Sequence, residues 1–402
     1  MSLRLPRHSS LRSAALLQRL LVCPHQRRAY RLPLPSTPLT PVTSKLELPP
    51  ESEWRRHFPP AVRVNHRVSI RNAETAAKIA DAFVPAGSVG KVIVEAFPGP
   101  GQLSRALLNL PRERIRKMII MEDWPQYLDF LRPLQEADPR VTVIDRDGYT
   151  WDSYQHITEL GLLDEVERLP WDQGVHPQLH FISHLPSTVT GEQLISQLLR
   201  TLPEREWLFQ YGRIPLSLIL SEHVFKRITS STSAPNTRNK LSIVAEASST
   251  CTAALPPALL SPFDAHFHPV STSPHAKPAE NKRSSRAVGL PFTSMNIVPH
   301  RESEQLIGRG KMDMWDYVLR RMFVKKATEV AKALPSLAPG AQTLAKMLTD
   351  PDRPEHERLD VKKKVNKLEA HEWALLVKAF DEWPFKPAMF DIAETFSDHS
   401  RL

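Results

Sequence analysis

The chain has 402 residues, 41% hydrophobic and 24% charged, the composition of a soluble globular protein with room for two compact domains and tails. Thirty-seven prolines against 13 glycines imply long irregular connections, and two cysteines, Cys23 and Cys251, cannot by themselves build a zinc site. Of the net charge of +9, eight units sit in residues 1–46, which contain no Asp or Glu, so the remainder is nearly neutral and is not a uniformly basic nucleic-acid binder.

Residues 1–45 read as a mitochondrial transit peptide and linker: arginine-rich, serine-containing and acid-free, with Leu16, Leu17, Leu20 and Leu21 on one helical face. The apolar stretch is short and broken by Arg12 and Arg19, so no membrane span is expected and the mitochondrial matrix is the expected location. After a proline-rich linker ending at Pro60, residues 70–84 carry apolar side chains at helical spacing. Strands are then predicted at 91–97, 117–121, 141–144, 179–183 and 207–220, with helices at 102–110, 124–136, 150–163 and 191–199. This alternation predicts an α/β domain over residues 60–270, a mostly parallel sheet covered on both faces. Residues 229–241 read as a loop. Residues 271–290 have no Phe, Trp, Tyr or Ile and cannot bury a core, so a disordered insertion is expected there. Residues 291–402 then form a mainly helical domain: 313–334 is amphipathic, and 337–348 and 362–380 continue the helical pattern.

The first strand runs through Glu95 into Phe97-Pro98-Gly99-Pro100-Gly101, and a helix begins at once. Glycines let backbone approach a ligand closely, and the free N–H groups of a helix start favour an anionic or nucleoside-like group. Parallel sheets bind ligands beyond the carboxyl ends of their strands, so the next ends matter equally. Glu122 closes the second strand and suits a ribose diol. Asp147 follows the third and suits an adenine amine. His184-Leu185-Pro186-Ser187 follows the fourth.

Together with residues 95–104, the run at 210–217 and the regions 267–269 and 298–299, these features resemble the ribosomal RNA adenine dimethyltransferases and their mitochondrial transcription factor B relatives, fungal branch. The resemblance implies a Rossmann-like S-adenosylmethionine-dependent methyltransferase fold with a small C-terminal helical domain. It implies S-adenosyl-L-methionine over Gly99 and Gly101, its ribose on Glu122 and its adenine by Asp147. Active members carry Asn-Leu-Pro-Tyr or Phe after the fourth strand, where the amide and the Pro carbonyl grip the target amine and the ring stacks on the flipped base. The slot here is His184, Pro186 and Ser187. Serine cannot stack, which forfeits about 1–3 kcal/mol, and histidine lacks the amide's paired donor and acceptor. The glycine that opens the cofactor turn is Phe97, and the covering segment reads His66-Arg67-Val68-Ser69-Ile70.

No confident catalytic residue and no metal site are therefore expected. The reading that follows is a mitochondrial transcription initiation factor, helping a single-subunit mitochondrial RNA polymerase recognise and melt promoters. The alternative is an rRNA adenine dimethyltransferase acting on mitochondrial small-subunit rRNA. Contacts to promoter DNA or rRNA are expected from Arg213, Arg320, Arg321, Lys325 and Lys326, whose affinity would come from counterion release. Nothing points to obligate assembly, so a monomer is expected.

Overall fold

The computed structural model describes residues 46–60, 64, 66–187, 189–270, 290–388 and 390. The transit peptide and nearly all of the 271–290 insertion lie outside the described residues. In chain order the elements are α1 (Trp54–His57), β1 (Ser69–Ile70), α2 (Ala73–Phe83), β2 (Lys91–Ala96), α3 (Gln102–Leu108), β3 (Ile115–Glu122), α4 (Pro125–Ala137), β4 (Val141–Asp145) and α5 (Trp151–Glu159). There follow β5 (Leu179–His184), α6 (Val189–Glu204), β6 (Leu216–Ser221), α7 (Glu222–Ile228), α8 (Lys240–Ser248), β7 (Ser249–Ala253), α9 (Phe263–His266), β8 (Phe267–His268) and β9 (Phe292–Pro299). The C-terminal helices are α10 (Met312–Phe323), α11 (Val330–Ala333), α12 (Leu344–Leu348) and α13 (Ala370–Glu382).

Among the described residues, seven strands form one sheet in the order β4-β3-β2-β5-β6-β9-β7. The strands β2 to β6 are mutually parallel, and β9 runs antiparallel to both β6 and β7. This is the Rossmann-like methyltransferase architecture expected of the sequence. The central strand β2 shows why: Val92, Val94 and Ala96 enter one buried cluster and Ile93 the other, so both faces need apolar residues. Outside the sheet, β1 pairs antiparallel with β8, joining the chain before the first sheet strand to the chain after the last helix of the domain.

Several boundaries differ from expectation. The folded body begins before residue 60, because Trp54 and Phe58 are buried against Tyr127 and Phe130. The sheet does not end at 270. Phe292–Pro299 inserts between β6 and β7, and its buried Thr293 and Ser294 disguise a strand as a polar stretch. The helices after it share one buried cluster with the sheet, so residues 291–402 do not begin at a domain edge. The long strand expected over 207–220 is a 3-10 turn (Trp207–Tyr211) followed by the shorter β6, because Gly212 adopts a left-handed φ of 120° and Pro215 offers no N–H to a ladder. The helix expected over 313–334 stops at Phe323, and α11 returns Val330 and Ala333 to the core. Most of the expected loop 229–241 stands, but α8 begins at Lys240. Leu241–Ala245 are all buried, and a helix buried on every side shows no amphipathic period.

Candidate functional site

The carboxyl ends of the parallel strands lie side by side. Ala96 stands opposite Met121 and Ser183, and Glu122 opposite Asp145. The turn after β2 keeps left-handed backbone at Phe97 (φ 58°), Gly99 (φ 62°) and Gly101 (φ 88°). A phenylalanine in that region carries about 1–2 kcal/mol of strain, so Phe97 keeps a glycine's conformation and is held there by its buried ring. The Arg105 guanidinium donates to the carbonyls of Pro100 and Gly101 (3.0 Å each) and of Phe130 (2.8 Å), tying the turn to α4. Beneath the turn, Glu95 is buried and accepts from Ser104 Oγ at 2.7 Å. Burial pushes its carboxyl up to about 7, with Ser104 pulling the other way.

The segment at residues 66–70 closes over this edge at three points. Arg67 places Nη2 and Nη1 at 2.5 and 3.3 Å from the two oxygens of Glu122, with both side chains buried. Its guanidinium carbon lies 4.7 Å from the centre of the Phe97 ring and 5.9 Å from that of Tyr127. Burial opposes the Arg67 charge, but the Glu122 carboxylate outweighs it and lifts the guanidinium's pKa above its ordinary value. Glu122 Oε1 also accepts the backbone N–H groups of Asp123 and Trp124, both at 3.1 Å, so that oxygen is crowded with donors from within the chain and Oε2 is held by Arg67. Ser69 presses on the glycine turn so closely that a Cβ on Gly99 would lie 2.1 Å from Ser69 Oγ. The His66 carbonyl accepts from both the N–H (2.9 Å) and the Oγ (3.0 Å) of Ser187.

One oxygen of Asp147 serves local geometry. Its Oδ1 accepts the N–H groups of Tyr149 (2.5 Å) and Thr150 (3.0 Å), turning the chain into α5. Next to it, a Cβ on Gly148 would lie 3.1 Å from the Phe97 ring. The residues expected to hold S-adenosyl-L-methionine are thus brought together, but Glu122 and the space above the turn are engaged by Arg67, Phe97 and Ser69. As arranged, they do not fit the nucleoside.

The slot after β5 is closed as well. His184 is buried, with its ring 5.6 Å from Phe292 and 6.0 Å from Phe267, and its Nε2 has no hydrogen-bond partner among the described residues. Burial, reinforced by Arg67, lowers its pKa to about 3, so it is neutral and held among aromatic rings. The carbonyl of Pro186 faces the backbone of Gly191 in α6, where a Cβ would come within 2.0 Å of it.

The expected basic residues separate. Arg213 is buried at 7% exposure, and its Nε and Nη2 donate to the Pro299 carbonyl at 3.0 and 2.8 Å. Its guanidinium is therefore engaged inside the fold, where it ties the end of β9. At the end of α10, Arg320 pairs with Asp316 at 3.0 Å, Arg321 lies 5.2 Å over the Tyr317 ring, and Lys326 donates to the Asn236 carbonyl at 2.9 Å. Arg321 and Lys325 are exposed. Arg67 was not legible as a site residue, because its partner lies 55 residues away and no local pattern links them.

A family model described as ribosomal RNA adenine dimethylase matches residues 69–382. "Mitochondrial transcription factor 1" of Saccharomyces paradoxus is 27% identical over 76% of this chain and 83% of its own length. "Dimethyladenosine transferase 1, mitochondrial" of Xenopus tropicalis is 30% identical over 42% of this chain and 46% of its own. The solved 23S rRNA methyltransferase ErmE is 16% identical and covers 78% of this chain and 99% of its own, with a TM-score of 0.46.

Proposed function

The chain belongs to the ribosomal RNA adenine dimethylase family, and within it we propose that this member is a mitochondrial transcription initiation factor rather than a methyltransferase. It would help a single-subunit mitochondrial RNA polymerase recognise and open promoters in the matrix, acting as a monomer on DNA. The observation that carries this reading is the bidentate Arg67–Glu122 pair over Phe97, which takes the carboxylate a ribose would need. The reach of the relatives agrees. The transcription factors align along three quarters of this chain, and the Xenopus dimethyladenosine transferase along 42%. Among the described residues, no helix is long and apolar enough to cross a membrane. Of the five expected basic residues, Arg321, Lys325 and Lys326 would make the DNA contacts, while Arg213 is held by Pro299 and Arg320 by Asp316.

The second reading, an rRNA adenine dimethyltransferase using S-adenosyl-L-methionine, is favoured by the glycine turn and the carboxylates at 122 and 147, which keep their places at the strand ends. It requires the 66–70 segment to leave the edge. Calorimetric titration with S-adenosylmethionine and run-off transcription with the mitochondrial polymerase separate the two. The expected result is no heat of binding and promoter-dependent transcripts that require the chain. Micromolar binding with dimethyladenosine formed in rRNA would overturn it.

A further inference from the structure

The 3-10 turn that replaces the expected strand borders a cavity of about 370 Å³ on the flank of α5. Trp151, Tyr154 and Trp207 line it, with Gln155, Glu206 and Gln210 among the residues that complete it. The Trp207 ring meets Trp151 at 6.0 Å and Tyr154 at 5.1 Å, nearly edge to face, and is backed by Phe181 at 4.9 Å and Phe209 at 5.5 Å. Trp207 thus sits at the centre of an aromatic cluster that forms one wall of the cavity. Trp151 is 38% exposed, and its aromatic wall is therefore open to solvent. Glu206 is exposed between Arg205 and Trp207, which both take left-handed backbone (φ 57° and 56°). The neighbouring cation is turned elsewhere: Arg205 lies 5.0 Å over Trp171 and pairs with Glu302.

The lining contains one carboxylate and no Lys, Arg or His. Asp152 and Glu159, on the same helix as Trp151, are exposed too, and Glu159 fixes the Gln155 amide at 2.9 Å. Aromatic faces with a carboxylate at the rim attract a cation through ring quadrupole and charge together, whereas a phosphate-bearing ligand meets like charge. We propose that this cavity receives an arginine or lysine side chain from a basic segment of a protein partner. Trp151 and Trp207 would contact its head and stem, and Glu206 would pair with its charge. The inference is independent of whether the chain binds S-adenosylmethionine or promoter DNA, since it uses none of the strand-end residues.

The test is an NMR titration of the full chain carrying 15N-labelled tryptophan, the Trp151 and Trp207 indole signals being assigned with Trp151→Phe and Trp207→Phe. The probes are N-acetyl-arginine amide, its uncharged counterpart N-acetyl-citrulline amide, and uridine monophosphate. The arginine amide should shift both indole signals saturably. The citrulline amide and the nucleotide should leave them in place, and Glu206→Gln, a surface change that preserves the fold, should weaken the arginine response at least fivefold. No shift with arginine amide, an equal shift with citrulline amide, or a larger response to the nucleotide would each overturn the assignment.

Discussion

Replacing Arg67 by Met tests the closed edge most directly. The substitution keeps most of the side-chain length and removes the guanidinium, leaving Glu122 at 1% exposure without its counter-charge. Removing one partner of a buried ion pair costs about 3–5 kcal/mol. The backbone N–H groups of Asp123 and Trp124, at 3.1 Å, still serve one carboxylate oxygen, so the loss should sit near the lower end of that range. Urea unfolding at pH 7.5 should show it, and Arg67→Met/Glu122→Gln should recover more than half, because the uncompensated charge is gone. The pH dependence fixes the cause. Without Arg67, burial raises the folded-state pKa of Glu122 against only the backbone hydrogen bonds that remain, and an acid whose folded pKa is raised destabilises most above that pKa. The deficit of Arg67→Met should therefore shrink as pH falls from 7.5 to 5.5. A deficit below about 1 kcal/mol that stays flat with pH, with the two substitutions simply additive, would refute the pair.

Three further outcomes follow from the same side chains. Burial holds His180 and His184 near 3 and His268 near 4, so each is neutral when folded but takes a proton below 6.5 when unfolded; stability is present above 6.5 and is lost as pH falls. Glu95, raised to about 7, works the other way between about 4.5 and 7, and at roughly 1.4 kcal/mol per group the net loss near pH 5.5 should be roughly 2–3 kcal/mol per pH unit, read by urea unfolding at several pH values. Arg213→Ala breaks two charge-assisted bonds to Pro299 and should lower stability by about 2 kcal/mol in the same assay while leaving single-stranded DNA affinity within twofold; a selective loss of binding would return Arg213 to the interface. Arg321→Glu with Lys325→Glu should weaken single-strand binding and reduce its log–log salt slope by about 0.7 for each phosphate no longer neutralised, measured by fluorescence anisotropy across salt; an unchanged slope removes the end of α10 from the interface.

How far the sequence discloses this molecule depends on whether the relevant interactions are local. Parallel strands covered by helices are rich in apolar residues, so the apolar stretches within β2, β3, β4 and β5 stand out, and their spacing implies the helices between them. The turn at 97–101 is legible because glycine and proline punctuate it. By contrast, β9 hides because polar residues interrupt its apolar pattern: Thr293 and Ser294 are buried, and the half-buried Asn296 accepts from Ser217 Oγ at 2.7 Å. Arg213 reads as a free cation until its carbonyl partner, 86 residues on, is known. On α10 the apolar stripe is buried, and Asp316 gathers Lys240 and Arg320 around it, so part of the charge on the basic face is used inside the fold while Arg321 and Lys325 stay exposed. The carboxylates at 122 and 147 are legible as positions, but their occupancy is not.

That occupancy decides between the two readings of the edge. A nucleoside approaching Glu122 competes with a guanidinium on the same chain, which needs no encounter and loses no translational freedom on pairing, whereas the ligand must meet the edge and give up that freedom. If displacing Arg67 forfeits about 3 kcal/mol, any affinity the bare edge would have for the cofactor falls by about 100-fold, moving a micromolar site out of reach of ordinary concentrations. Displacement does not stop at Glu122. His66 holds Ser187 and Ser69 covers Gly99 from the same five residues, so the cofactor edge and the base slot would have to open together. On the proposed reading, closing both at once would leave the strand-end edge inert to methyl transfer without unfolding it. The Rossmann-like body would then serve as a support that presents its exposed basic helix end to a polynucleotide.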